Sequence, residues 1–144
     1  MEVEENVDRI SLDRMYMEIA KVVSRRSTCE RKKVGAVVVK NKQIVSEGYN
    51  GTPAGWKTNC CENKDGKTKD VVLHAESNAI TKLAKSTNSA QNGTIYCTLQ
   101  PCLSCSKLIH QAGIARVVYG EKYRKDESIG FLEQAGIEVV QISE

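Results

Sequence analysis

The sequence predicts an α/β fold: three layers, α/β/α, around a mixed five-stranded sheet. Three observations predict it. Some segments carry apolar residues at helical spacing, while others are short runs rich in β-branched and aromatic residues. Through the C-terminal half the two kinds alternate, which favours parallel strands with helices on the sheet faces. Nearer the N-terminus two strand-like runs are separated by only a tight turn, which favours an antiparallel hairpin and makes the sheet mixed.

The elements follow in order. Residues 1–10 open with the acidic, polar stretch MEVEENVD and are expected to form a flexible tail. Residues 11–144 are expected to form a single domain, a length that suits one well-buried core. From Ser11, a plausible N-cap, apolar residues recur at Leu12, Met15, Tyr16, Ile19, Ala20 and Val23, the spacing of a helix. The basic stretch SRRSTCERKK leads into VGAVVVK and QIVSEGY, two strands turning at Asn41-Lys42. GYNGTPAG, residues 48–55, reads as a loop, and Trp56 to Lys69 as a polar surface excursion. A helix is expected over about 75–85, with Ala79, Ile80 and Leu83 inward. TIYCTL reads as a strand, and PCLSCSKLIHQAG as a helix that opens on proline and closes on glycine. ARVVYG, ESIGFLEQAG and IEVVQI then read as strand, short helix and strand.

Composition narrows the function classes. The chain is 40% hydrophobic and 27% charged, typical of a globular protein, and its apolar runs are far too short to span a membrane. A net charge of +3 permits an anionic ligand, and without a dense basic run it does not demand nucleic acid. No secretory leader is expected, so the six cysteines are read as residents of a reducing, cytoplasmic compartment. There they serve as metal ligands or core residues more often than as disulfides.

The chemistry concentrates in two short motifs. Pro101-Cys102-Leu103-Ser104-Cys105 sets two thiols three residues apart at a helix start, on one face, where exposed N–H groups favour thiolates. His74-Ala75-Glu76 holds one of only two histidines in the chain. Residues two apart share a face on extended backbone but not on a helix, so His74 and Glu76 can cooperate only if the chain is still entering its helix at His74. Two thiolates and a neutral imidazole would hold Zn2+ at three positions and leave a fourth open, the pattern of a catalytic zinc. Glu76 beside the open position could take a proton from an activated water and pass it on. Competing readings are a closed structural site completed by Cys97, or a redox pair that leaves His74 and Glu76 idle. Cys97 is expected to pack in the core, and His110 to meet the C-terminal end of its own helix.

H-x-E followed by P-C-x-x-C is the pattern of zinc deaminases. On these residues, and over about residues 11–142, the chain resembles the cytidine deaminase-like superfamily. RSTC at 26–29, VGAVVV and above all GYNGTPAG resemble the deoxycytidylate (dCMP) deaminases. The tRNA adenosine deaminases share VGAVVV and a similar TLxPCxxC but typically lack the GYNG loop. The resemblance implies hydrolysis of dCMP to dUMP and ammonia by a zinc-activated water, with Glu76 protonating N3 and then the leaving amine. It also implies that the N–H of Ala75 meets the pyrimidine O2 and that Asn50 contacts the sugar. Arg26, with Tyr123 and Arg124 behind it, is the expected partner of the phosphate. Many dCMP deaminases are hexamers activated by dCTP and inhibited by dTTP, bound with Mg2+ near the GYNG loop, so the resemblance makes Asn50 and Gly51 candidate effector contacts. Some carry a second, structural zinc. Here Cys29, Cys60 and Cys61 are its only candidate ligands, and buried thiols are the preferred reading. Two other classes stay open: a deaminase of polynucleotide bases, which the 5% aromatic content disfavours, and a silent zinc-binding partner subunit, which the intact Glu76 disfavours.

Overall fold

A computed structural model describes residues 4–123 and 125–142. Helix α1 (Leu12–Ser24) starts where expected: the Ser11 hydroxyl accepts the N–H of Arg14 at 3.0 Å. Strands β1 (Gly35–Lys40) and β2 (Gln43–Tyr49) form the antiparallel hairpin. Its turn residues Asn41 and Lys42 both have positive φ, 52° and 62°, the twist a two-residue hairpin turn requires. The remaining elements are α2 (Ala75–Leu83), β3 (Thr94–Leu99), α3 (Leu103–Gln111), β4 (Arg116–Glu121), α4 (Glu127–Gln134) and β5 (Glu138–Gln141).

The five strands lie in the order β2-β1-β3-β4-β5. β1 is antiparallel to both β2 and β3, while β3, β4 and β5 run parallel. The parallel half follows from the two helical crossovers, α3 and α4, each long enough to return the chain to the same end of the sheet. The alternation of strand side chains then divides the core in two. Val37, Val39, Tyr96 and Val118 face α1, meeting Tyr16, Met17 and Ala20. Ala36, Val38, Ile95, Cys97, Val117 and Tyr119 face the other way, into a larger core with Ala79, Leu83, Ile109 and Leu132 from α2, α3 and α4. The three expected layers are present, with one helix on one face and three on the other. Ala79 and Leu83 are buried and Ile80 is partly buried against the same core.

Each face of the sheet has one contact that fixes a helix start. The Asp13 carboxylate, in the first turn of α1, receives both terminal nitrogens of Arg116 at 2.8 and 2.7 Å and the Tyr96 hydroxyl at 2.6 Å, tying α1 to β3 and β4. On the other face, a Cβ at Gly48 would fall 2.5 Å from the Ala75 carbonyl and 2.6 Å from the Ala79 nitrogen. Only glycine lets β2 approach the start of α2 this closely.

The cysteines depart from expectation. Cys29 and Cys61 form a disulfide, Cα to Cα 5.0 Å, in place of the separate buried thiols expected. The cause is tertiary. The 56–69 excursion folds back on the loop before β1: the Thr28 hydroxyl donates to the Asn59 carbonyl, and Glu62 accepts the N–H groups of Glu30 and Arg31 at 3.1 and 3.3 Å. These bonds bring two buried sulfurs together across 32 residues of sequence. Cys60 stays exposed with a free thiol, and Cys97 is buried in the core as expected.

Candidate metal centre and substrate cleft

Two helix starts build the site. His74 is the N-cap of α2 with extended backbone, φ −77° and ψ 158°, and the helix begins at Ala75. The condition set by the H-x-E spacing is therefore met. The preceding residue is held in place by Gly51, which exchanges backbone hydrogen bonds with Leu73 at 3.1 and 2.8 Å. Cys102 caps α3 in the same extended conformation, φ −74° and ψ 171°, directly after Pro101, and Cys105 lies one turn in. Neither His74 nor Cys102 caps its helix with a side-chain hydrogen bond, so both side chains are turned to other use.

Those side chains converge. The His74 Nδ1 lies 3.2 Å from the Cys105 sulfur and 3.5 Å from that of Cys102, and all three donor atoms lie within 4.8 Å of one another. A tetrahedral zinc with ordinary Zn–N and Zn–S bonds would hold such donors about 3.6 Å apart, so the triad needs only a small adjustment to fit the ion. No fourth cysteine, histidine or carboxylate joins the group among the described residues. Hydrogen bonds from Cys105 and His74 hold the Cys102 thiol down at about 4, which makes it a thiolate at neutral pH. The Cys105 thiol, which donates that bond, is pushed far up and keeps its proton. His74 is raised chiefly by its hydrogen bond to Cys102. A dication would displace the shared protons, because both sulfurs and the imidazole must be deprotonated to bind it.

Glu76 stands beside this triad with only 4% of its surface exposed. Burial pushes its carboxyl up to about 7, against the smaller opposing pull of its own backbone N–H and of His74. A cation held by the triad would lower it again, which sets the carboxyl to exchange protons near neutrality.

A cleft of about 310 Å³ opens above these groups, lined by His74, Ala75, Glu76 and Cys102 at its floor. That is at the lower end of volumes suited to a small-molecule ligand. Asn50 stands in its wall. Its side chain accepts the Val34 N–H at 2.9 Å and donates to the Lys32 carbonyl at 2.7 Å, so it braces the chain entering β1. Its φ is not positive, so it is not there as a left-handed turn residue. Tyr123 lines the mouth, 44% exposed.

The cations differ from expectation. Arg26 is exposed at the end of α1 and is not among the residues lining the cleft, whereas Arg31 and Lys32 are. Arg124 lies outside the described residues. Glu62 and Gln100 also line the cleft, and sequence reasoning misses both. Arg31 and Lys32 belong to the basic stretch SRRSTCERKK, but charge alone does not say which of its members turns inward. Gln100 has one sequence signal, its place directly before Pro101.

Similarity to known proteins agrees with this geometry. Residues 10–121 match the family described as the cytidine and deoxycytidylate deaminase zinc-binding region. The deoxycytidylate deaminase of Saccharomyces cerevisiae is 40% identical over 145 residues, covering 94% of this chain but 46% of the yeast protein. This chain thus spans about half the length of that relative. The deoxycytidylate deaminase of Enterobacteria phage T4 is 37% identical over 169 residues, covering 88% of this chain and 87% of its own. Among solved structures, the dCMP deaminase of cyanophage S-TIM5 in complex with dCMP and dUMP superposes with a TM-score of 0.88 at 48% identity, covering 91% of this chain and 96% of that one. With the metal triad, the buried carboxyl beside it and these relatives in agreement, the chain belongs to the cytidine and deoxycytidylate deaminase family.

Proposed function

We propose that this protein hydrolyses dCMP to dUMP and ammonia, with one zinc per chain held by His74, Cys102 and Cys105. The observation that carries the reading is the convergence of those three donors with the buried Glu76 on the floor of a cleft of nucleotide size. The likeness to the S-TIM5 enzyme, solved with dCMP and dUMP, supports the choice of substrate. When bound, zinc supplies the Lewis acidity that makes water a nucleophile at neutral pH. Glu76 takes the proton the water gives up as it attacks C4 and delivers it to N3; it then takes the remaining proton from the new C4 hydroxyl and hands it to the departing amine, leaving the C4 carbonyl and ammonia. The Ala75 N–H, in the first turn of α2, donates to the pyrimidine O2, where the helix dipole favours the charge drawn onto that oxygen.

The phosphate meets the cationic side of the cleft, where Arg31 and Lys32 lie, with Tyr123 at the mouth. Arg26 and Arg124 are secondary candidates from sequence. Asn50, in the cleft wall, and Gly51, next to it in the chain, are where dCTP with Mg2+, or dTTP, would act as effectors on a hexamer. Their present roles, bracing β1 and the residue before His74, would carry such a signal to the metal. A cytoplasmic location is carried by the nucleotide chemistry of the proposed reaction; the Cys29–Cys61 disulfide removes the argument from wholly reduced cysteines. Among the described residues, no helix is long and apolar enough to cross a membrane.

The test is ammonia release from dCMP, CMP, deoxycytidine and dCTP, with and without dTTP. Zinc-loaded protein should act on dCMP with the highest kcat/KM. A zinc-loaded protein inert toward dCMP would sink the proposal, and release from a cytidine-containing oligonucleotide alone would move it to the polynucleotide class.

A further inference from the structure

Gln100 joins the end of β3 to Pro101 and the metal-binding turn, and it is only 2% exposed. A glutamine is rarely this buried unless its amide is fully engaged. Here each end of the amide has partners, and most belong to the segment after β4. Its Nε2 donates to the Lys125 carbonyl at 2.8 Å and to the Ser128 hydroxyl at 2.9 Å, while its Oε1 accepts the Tyr123 N–H at 2.9 Å. Its backbone N–H donates to the Glu121 carbonyl at 2.8 Å. Ser128, in the first turn of α4, is itself buried. One side chain thus fastens Tyr123 and Lys125, between β4 and α4, to each other and to the first turn of α4. Tyr123 lines the cleft beside Cys102.

Neither the metal triad nor the proton-transfer carboxyl requires this arrangement. The core on this face is apolar, and a buried amide in place of an apolar side chain stabilises it only while every bond is made. The direction of the bonds gives its purpose. They hold no part of the metal triad; they hold the backbone of Tyr123 and Lys125. We infer that Gln100 is a positioning residue, whose amide clamps the β4–α4 segment so that Tyr123 stands as the wall of the cleft against the bound nucleotide. The inference rests on the proposed reading of the cleft as the dCMP site. Gln100 borders the cleft, but its side-chain amide is engaged by Tyr123, Lys125 and Ser128, so it acts on the nucleotide through Tyr123.

A double-mutant cycle tests it, using Gln100→Met, Tyr123→Ala and the combination, each assayed for KM and kcat with dCMP and for zinc content. Loss of the clamp should raise KM roughly tenfold, the order expected for freeing a binding group once held by hydrogen bonds. It should leave kcat within about threefold and zinc at one per chain. In the Tyr123→Ala background, Gln100→Met should add almost nothing. If Gln100→Met raises KM equally in both backgrounds, it does not act through Tyr123 and the inference fails. Loss of zinc or of kcat with KM unchanged would also overturn it, since Gln100 would then serve the metal turn through Pro101. Should Gln100→Met fail to fold, Ser128→Ala removes one acceptor of the amide and should raise KM by a smaller factor, with the same dependence on Tyr123. Failure of the functional reading is distinguishable, because it appears in the wild-type protein as no ammonia from dCMP, before any variant is compared.

Discussion

Asp13 and Glu76 occupy the same place in two helices, each the second residue after its N-cap, yet the protein treats them in opposite ways. Both gain from the positive end of a helix dipole. Asp13 is partly exposed and meets Arg116 face to face, with Tyr96 as a third donor. The hydrogen bonds from Arg116 hold its carboxyl below the usual 3.8, ionised throughout the physiological range. Glu76 is buried with no guanidinium or ammonium bonded to it among the described residues, and burial drives it to about 7. Helix position therefore does not decide what a carboxyl does; its partner and its solvent do. Asp13 sits on the α1 side of the sheet, where charge is neutralised and the result is stability. Glu76 sits on the opposite side, where an unneutralised acid waits beside three metal donors.

Three experiments break or sharpen this contrast, beginning with the largest effect. Removing the metal should abolish turnover altogether. Cys105→Ser should lose zinc by elemental analysis and release no measurable ammonia, while Asp13 variants keep both. Full activity in zinc-free protein would remove the chemical side of the comparison. Next, Glu76→Gln should keep zinc and lower kcat by roughly 10²–10⁴, the range for a lost proton-transfer group. Its denaturant midpoint should be equal to or above that of wild type, because a buried unpaired acid is replaced by a neutral isostere. An unchanged kcat would show the proton moving by another route.

The smallest effect is expected at Asp13. Asp13→Asn should leave kcat/KM for dCMP unchanged and cost about 1–2 kcal/mol at pH 7, as an ionised hydrogen-bonded partner of a half-buried arginine is lost. The pH dependence has a definite sign. The folded pKa is depressed, so the stabilisation is fully present above the unfolded value of 3.8 and is lost as pH falls through the lower folded value. Denaturation curves of wild type and Asp13→Asn should therefore converge below about pH 3.8 and stay apart above it. Curves that stay parallel into strong acid would mean the Asp13 charge contributes nothing to the fold.

Much of the fold is legible in local sequence. The hairpin turn at Asn41-Lys42, the parallel C-terminal half and the Ser11 cap all follow from spacing and residue type over a few positions. So does the central inference about the site. Two residues separated by one alanine can share a face only where the backbone is extended, and His74 is indeed the last extended residue before α2. Other features are not legible, and the cysteines make the reason plain. Cys29 and Cys61 read as thiols because each looks unpartnered in its own neighbourhood. Their pairing depends on how the 56–69 excursion folds back, which is set by Glu62, Thr28 and the loop before β1 acting together. The cations show the same limit. A run of basic residues says that a phosphate could be met, but the turn into β1, braced by Asn50, decides that Arg31 and Lys32 line the cleft while Arg26 stays at the end of α1.

By itself, then, the sequence determined the residue types of the candidate metal site, the helix starts that present them and the family to which they belong. Tertiary structure alone decided that the two starts meet within bonding distance, that Cys29 joins Cys61, and that Gln100 reaches across to hold Tyr123. The division has one physical cause. Helix and strand geometry fixes relations among residues a few positions apart, whereas partners far apart in the chain are chosen by the packing of whole elements, which no short stretch encodes.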